Sequence, residues 1–226
     1  MPIVGVIFVQ DFFDGLIPKI QEAVIKDFQD IQEQVGSEKI YAVVLGTDSS
    51  CVTLGLCVNT IEQMKKKDID YAYNDLDAYL KSLEQYNLSD DEIDEIKNEP
   101  LPTTKWTPEE WVYESKEMAT ATVSKMLRDE SKVISDKIKA LSDETGFVAD
   151  EIYDELHGGY YKKFIETVTT AFRNLIQSNA FGLAPENTTY FLHMVDDHRA
   201  EKIAKDSSKV LNVKNVHEEF LNQTKF

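Results

Sequence analysis

Apolar residues at Leu16, Ile20, Val24, Phe28, Ile31 and Val35 recur every three or four positions and stop at Gly36. That spacing predicts an amphipathic helix over 15–35 closed by a glycine cap. Upstream, "MPIVGVIFVQDFF" carries an apolar run in which residues 3–9 read as a strand or as an extension of that helix, with the strand favoured. Next, "KIYAVVLGTD" is a near-continuous run of β-formers, as in a strand covered on both faces. In "CVTLGLCV" the residues Val52, Leu54, Leu56 and Val58 alternate, and the short "TDSS" between the runs predicts an antiparallel hairpin. Asn59 and Glu62 stand in N-cap and N3 relation, so "NTIEQM" opens a second helix, continued or restarted through Leu76, Leu80 and Leu83. Tyr71, Tyr73, Tyr79 and Tyr86 lie in that stretch, their rings expected against the domain or at a homodimer interface.

The pattern then breaks. "LSDDEIDEIKNEPLP" runs from dense acidity into two prolines and marks a loop or hinge near 87–103. Beyond it, "TKWTPEEWVYES" places Thr107 as N-cap, Pro108 at the first helical position and Glu110 at N3, the T-x-x-E form of a capping box. Trp106 and Trp111 then fall at the two positions joined by a hydrophobic staple, which predicts a structural role for both indoles. Val112, Ala119, Val123, Met126, Leu127, Ile134, Ile138 and Leu141 carry a helix toward Gly146, with a break near Ser131 or Ser135. Phe147, Ile152, Tyr153 and Leu156 predict a short helix interrupted by Gly158 and Gly159, after which helical spacing resumes from Tyr161 to Gly182. "TTYFLHMVDD" reads as a strand entering an acidic turn, and Asp197 as the cap of a last helix through Ile203 and Leu211. Strands early and late with helices between define an α+β class: a small, mostly antiparallel sheet with several helices packed mainly on one face, in a single domain over 1–226.

Composition narrows the functional classes. The chain has 226 residues, 42% hydrophobic and 29% charged, an ordinary globular balance. Against 41 Asp and Glu stand 24 Lys and Arg, a formal charge of -17 that repels polyanions and argues against nucleic acid as partner. A basic protein would instead be attracted and steered. Cys51 and Cys57 are six positions apart; on one continuous strand they would lie about 20 Å from each other, too far to bridge, and so read as buried free thiols. The N-terminal run lacks a basic flank and a small-residue cleavage site, and no stretch approaches the roughly 20 apolar residues of a membrane span. The expected compartment is the cytoplasm, with no membrane association.

Candidate chemistry is sparse. His193, Asp196, Asp197 and His198 cluster at the end of the late strand, where imidazole and carboxylate ligands could meet. His193 and Asp196 point to opposite faces of a regular strand, so only a turn could unite them, and no metal or cofactor is assigned. Asp48 leaves the first strand as Asp196 leaves the late one; parallel neighbours would bring both carboxylates to one sheet edge, a pair suited to acid–base work. Turn formation by aspartate is the commoner reason for such residues. His157, beside Gly158 and Gly159, suits a helix C-terminus. Nucleophile-elbow, phosphate-loop and dinucleotide motifs are absent from the sequence.

The order "EKIYAVVLGTD", "NTIE", "WTPEEWVY", a strand ending at Asp196 and finally "VLN", from Glu38 to Asn212, resembles a bacterial family known as domain of unknown function 4303. The resemblance implies no activity that can be carried to any residue. Families of similar size and acidity include immunity proteins against bacterial toxins, an analogy only. The expected role is therefore an acidic protein-interaction module, its contact drawn from Asp90, Asp91, Glu92, Asp94 and Glu95 on charge density. The rival is a metal-assisted or acid–base enzyme using Asp48, His193, Asp196 or His198.

Overall fold

A computed structural model of the chain describes residues 5–70, 81, 89, 92, 103–115, 119–145, 150–182 and 184–224. The first helix, α1, spans Gly5–Val35, so residues 5–9 are helical and the favoured strand there is overturned. An apolar run is compatible with either state, and the helix beyond it extends back through it. Every residue of the predicted stripe, Leu16, Ile20, Val24, Phe28, Ile31 and Val35, is buried. The helix ends at Gly36, whose φ of 59° is the left-handed conformation that glycine adopts without a Cβ clash.

Strands β1 (Ile40–Asp48) and β2 (Gly55–Thr60) form the expected antiparallel hairpin. Strand β4 (Thr189–Val195) lies parallel to β1 on its other side, and the two-residue β3 (Tyr113–Glu114) pairs antiparallel with β2. The order β3-β2-β1-β4 makes the sheet mixed, with one parallel pair beside two antiparallel ones. Cys51 lies in the hairpin turn at φ 57°, ahead of β2, so the two thiols do not share a strand; both are free.

Helices α2 (Ala119–Thr145) and α3 (Asp150–Gln177) pack with α1 over one face of the sheet. Neither breaks where a break was expected: α2 runs through Ser131 and Ser135, and α3 runs through Gly158 and Gly159. Burial of Tyr160, Phe164, Val168, Phe172 and Leu175 stabilises α3 enough to override the weak helix preference of the glycines. The buried Asp27 of α1 accepts hydrogen bonds from the backbone N–H groups of Ala119 (2.9 Å) and Thr120 (3.1 Å), capping α2 from a neighbouring helix. That explains why α2 starts there and not at Pro108: Pro108–Glu110 forms only one 3₁₀ turn, and Thr107 makes no side-chain capping bond.

The opposite face is closed by a smaller cluster. A slip in register between Ile40 and Ala42 marks a bulge, after which both Tyr41 and Ala42 lie among the residues of this second cluster. They meet Val44, Trp111, Phe191, Ala204 and Phe220, with Trp106 against them. Helix α4 (Ala200–Leu211) and helix α5 (Lys214–Gln223) supply Ala204 and Phe220; α5 was not foreseen, though Val213, Val216 and Phe220 have helical spacing. Residues 61–70 are helical too, but the cap is Thr60, whose Oγ1 accepts from the Gln63 N–H at 3.2 Å, one residue later than expected. Glu62 instead accepts from the backbone of Lys39 at 2.9 Å.

Strand β4 is an edge, and α4 covers it. Ser207 Oγ accepts from Leu192 N–H at 2.9 Å, while Asn212 accepts from Tyr190 N–H (2.8 Å) and donates to its carbonyl (2.6 Å). The Asn212 amide thus stands in for a neighbouring strand, which protects the edge from other chains.

Candidate functional site

Among the described residues, a concavity opens at the carboxyl ends of the parallel pair β1 and β4. In β1 and β4, Asp48 is register partner to Val195, so Asp196 follows directly across from the end of β1. Crevices at the carboxyl ends of parallel strands are the common ligand position in open α/β sheets. Here the crevice has a volume of about 560 Å³ and is lined by Ser49, Ser50, Ser131, His157, Gly158 and Arg199, with Ile134, Tyr160 and Tyr161 behind them.

Each wall is held by identifiable bonds. Asp48 Oδ1 accepts from Ser50 N–H at 2.8 Å, and Oδ2 accepts from the Thr53 hydroxyl at 2.5 Å, which folds the hairpin turn around the carboxylate. The buried Tyr160 hydroxyl reaches the carbonyls of Cys51 (3.1 Å) and Leu127 (3.3 Å), tying the turn, α2 and α3 together. Burial pushes the Tyr160 hydroxyl pKa up and the Cys51 thiol up to about 12, so both stay protonated at neutral pH. A neutral thiol is a poor nucleophile.

At the other wall, Asp197 grips Arg199 with two bonds, from Nε to Oδ1 (2.8 Å) and from Nη2 to Oδ2 (2.6 Å), and Oδ1 also accepts the Arg199 backbone N–H (2.7 Å). The hydrogen bonds from Arg199 hold the Asp197 carboxyl down to about 2. Asp197 thus organises the turn before α4, while the N-cap position itself is Arg199. The guanidinium lies 3.8 Å from the centre of the Tyr161 ring, a cation–π contact that fixes its plane. Behind it, Gly158 and Gly159 sit in the helix interior with nothing within 4 Å of where a Cβ would be. Glycine there costs about 0.5–1 kcal/mol relative to alanine, and no close packing requires it.

The four residues of the proposed polar site are not one constellation. Asp48 and Asp196 do come to the same sheet edge, as parallel pairing required, but Asp48 is engaged by its own turn and Asp196 is exposed at φ 55°. His198 is exposed beside Asp197 at 3.7 Å. His193 instead pairs with Glu109 at 2.6 Å, and the bond from His193 lowers the Glu109 pKa. Among the described residues no group of three or more His, Cys, Asp or Glu could hold a metal ion. Of the proposed contact set, Glu92 accepts from the Ser89 N–H (2.8 Å) and hydroxyl (2.7 Å), a capping arrangement. Asp90, Asp91, Asp94 and Glu95 lie outside the described residues, as do Leu76, Leu80, Leu83 and the tyrosines at 71, 73, 79 and 86.

A second polar network occupies the opposite end of β1. Glu38 accepts from Thr60 Oγ1 (2.6 Å), Gln63 Nε2 (2.7 Å) and the Tyr113 hydroxyl (3.0 Å). Desolvation opposes its charge, yet these three donors outweigh it and lower the Glu38 pKa. Its carboxylate is committed to joining β1, β2 and β3.

Arg199, Tyr161, Ser131, Ser49 and Ser50 are cleft residues that sequence reasoning did not place at a site. The signal available was local: "HGGYY" and "DDHR" each place charge and aromatic groups beside a turn or glycine pair, but their meeting needs the β1–β4 pairing.

Fold and site define an α+β domain with a polar cleft at the carboxyl ends of its parallel strands. Residues 20–213 match the family described as domain of unknown function (DUF4303), and the chain belongs to that family. The match ends after Asn212, which closes the sheet edge, and before α5. No curated protein and no solved structure matches the chain. No helix among the described residues is long and apolar enough to cross a membrane.

Proposed function

We propose that the protein is a cytoplasmic protein-interaction module whose acidic surface docks on a basic partner, a role of the kind filled by immunity proteins that inhibit a toxin. The supporting observation is the charge: 41 acidic against 24 basic residues, a net of -17. Such a field raises the encounter rate with a basic surface and is screened by salt. The segment Asp90, Asp91, Glu92, Asp94 and Glu95 is the densest run of carboxylates and the proposed contact.

The test is capture from the native lysate at low salt, compared with a variant carrying Asp90→Asn, Asp91→Asn, Asp94→Asn and Glu95→Gln. A specific basic protein should bind, elute as salt rises and be retained less by the variant. Recovery of no specific partner, or retention indifferent to salt, overturns the proposal. The rival reading, an acid–base or metal-assisted enzyme using Asp48, His193, Asp196 or His198, draws support from the shared edge of Asp48 and Asp196 alone. A rise in melting temperature with Zn²⁺, Mn²⁺ or Mg²⁺ would favour its metal form.

A further inference from the structure

We infer that the cleft at the carboxyl ends of β1 and β4 is a binding site for a small oxyanion, a phosphate or carboxylate group, anchored by the Arg199 guanidinium and the hydroxyls of Ser49, Ser50 and Ser131. The inference is independent of the protein-docking role, which rests on other residues.

Lining chemistry is the first reason. In a chain so rich in acid, the described lining of this cleft contains no carboxylate. Two other concavities of similar size do contain them: the groove between α3 and α4, about 470 Å³, has Glu166 and Asp206 and borders the other side of Tyr161 and Arg199, and the one between α1 and α2, about 460 Å³, has Glu22. Of the carboxylates beside the cleft, Asp48 is engaged by its turn and Asp197 by Arg199, while Asp196 is exposed and is not part of the described lining.

The state of Arg199 is the second reason. Asp197 occupies Nε and Nη2, and among the described residues Nη1 donates to no hydrogen-bond partner. With one edge gripped and the plane stacked on Tyr161, the guanidinium loses little further freedom on binding a ligand. Arginine forms directional bonds to phosphate and carboxylate oxygens that lysine cannot reproduce. Because Asp197 balances the charge, recognition rests on hydrogen bonds more than on net attraction, and a weak, millimolar affinity is expected for the bare anion.

Space is the third reason. Gly158 lines the cleft and carries no side chain to fill it, although a helix interior disfavours glycine and a Cβ would meet nothing within 4 Å. An unneeded glycine in a helix wall fits close approach of a ligand to the backbone.

The test titrates inorganic phosphate, and separately malonate, into the full chain at constant ionic strength, following backbone amide shifts of Ser49, Ser50 and Arg199. Saturable shifts below about 20 mM are expected for at least one anion, and the better of the two identifies the class. Ser131→Glu places a carboxylate in the lining and Gly158→Leu fills the space; each should weaken binding by about tenfold or more while leaving the fold's amide spectrum intact. Arg199→Lys keeps the charge, loses the fork and should weaken binding as well. Absence of saturable shifts with both anions overturns the inference. Equal response in wild type, Ser131→Glu and Gly158→Leu overturns it too, because shifts from non-specific anion contact with the surface do not depend on the cleft lining.

Discussion

The two faces of the sheet are closed by different means. On one, α1, α2 and α3 lay long apolar stripes across the strands, and buried residues such as Leu16, Ile20, Val24, Leu127, Phe164 and Phe172 come from continuous helices. On the other, the core is a knot of five rings from four separate stretches of the chain: Tyr41, Trp106 with Trp111, Phe191 and Phe220. Their centroids lie 4.9 to 6.4 Å apart, mostly edge to face. The first face gains stability from area, whereas the second depends on geometry and on polar tips, because Tyr and Trp carry groups that need partners when buried. Tyr41 donates to the Lys105 carbonyl at 2.6 Å and accepts from Asn59 at 3.0 Å, and Trp111 donates to the Thr104 carbonyl at 3.0 Å. Among the described residues, the buried Nε1 of Trp106 has no such partner.

That contrast can be broken most forcefully on the helical face. Phe172→Ala empties a fully buried ring site against Phe181 and Tyr190 and should cost about 3–5 kcal/mol in urea denaturation. A cost below about 1 kcal/mol would mean that the face is not close-packed. On the aromatic face, Trp111→Phe removes ring volume and a satisfied indole N–H, leaves the Thr104 carbonyl without it, and should cost about 1–3 kcal/mol. Trp106→Phe discards a donor that has no partner, so it should cost about 1 kcal/mol less than its neighbour. Equal losses would show that ring volume alone decides this cluster.

The smallest effect is a matter of pH. Glu109 has a folded pKa below its ordinary 4.5, through the His193 hydrogen bond first, so its ionised form stabilises the folded state above that value. The contribution fades as pH falls through the lowered folded value. Both tryptophans of the chain lie on the aromatic face, so their fluorescence reports that face, while far-ultraviolet circular dichroism follows mainly the long helices. Acidification below about pH 4.5 should shift the fluorescence before helicity is lost, and Glu109→Gln should remove that early shift. Coincident changes at every pH would show that the faces unfold as one unit.

Legibility in the sequence followed the same division. The stripe of α1, both hairpin strands and β4 were readable because a single periodicity runs through each. The indoles were expected to be structural, and they are, but the reasoning placed them at a helix entrance. Capping signals are local and were all present around Thr107, yet α2 begins where Asp27, 92 residues away from Ala119 in the chain, supplies the carboxylate. The same limit explains the missed α5, a ten-residue helix held by Val216 and Phe220, and the two-residue β3, too short to show alternation. Within the candidate site, the shared edge of Asp48 and Asp196 followed from strand logic once parallel pairing was supposed. Arg199 and Tyr161 carried no such logic, since α3 and the turn before α4 meet only through the fold.

By itself the sequence determined the α+β class, the elements with one dominant period and the sign of the surface field. Those depend on short-range spacing or on composition, which a chain carries whether folded or not. Only the tertiary structure decided that β4 lies parallel to β1, that one face is sealed by rings and that a cleft with no carboxylate among its described lining opens beside Arg199. These features join residues far apart in the chain, and their free energy comes from burial and hydrogen bonds formed only when the elements pack.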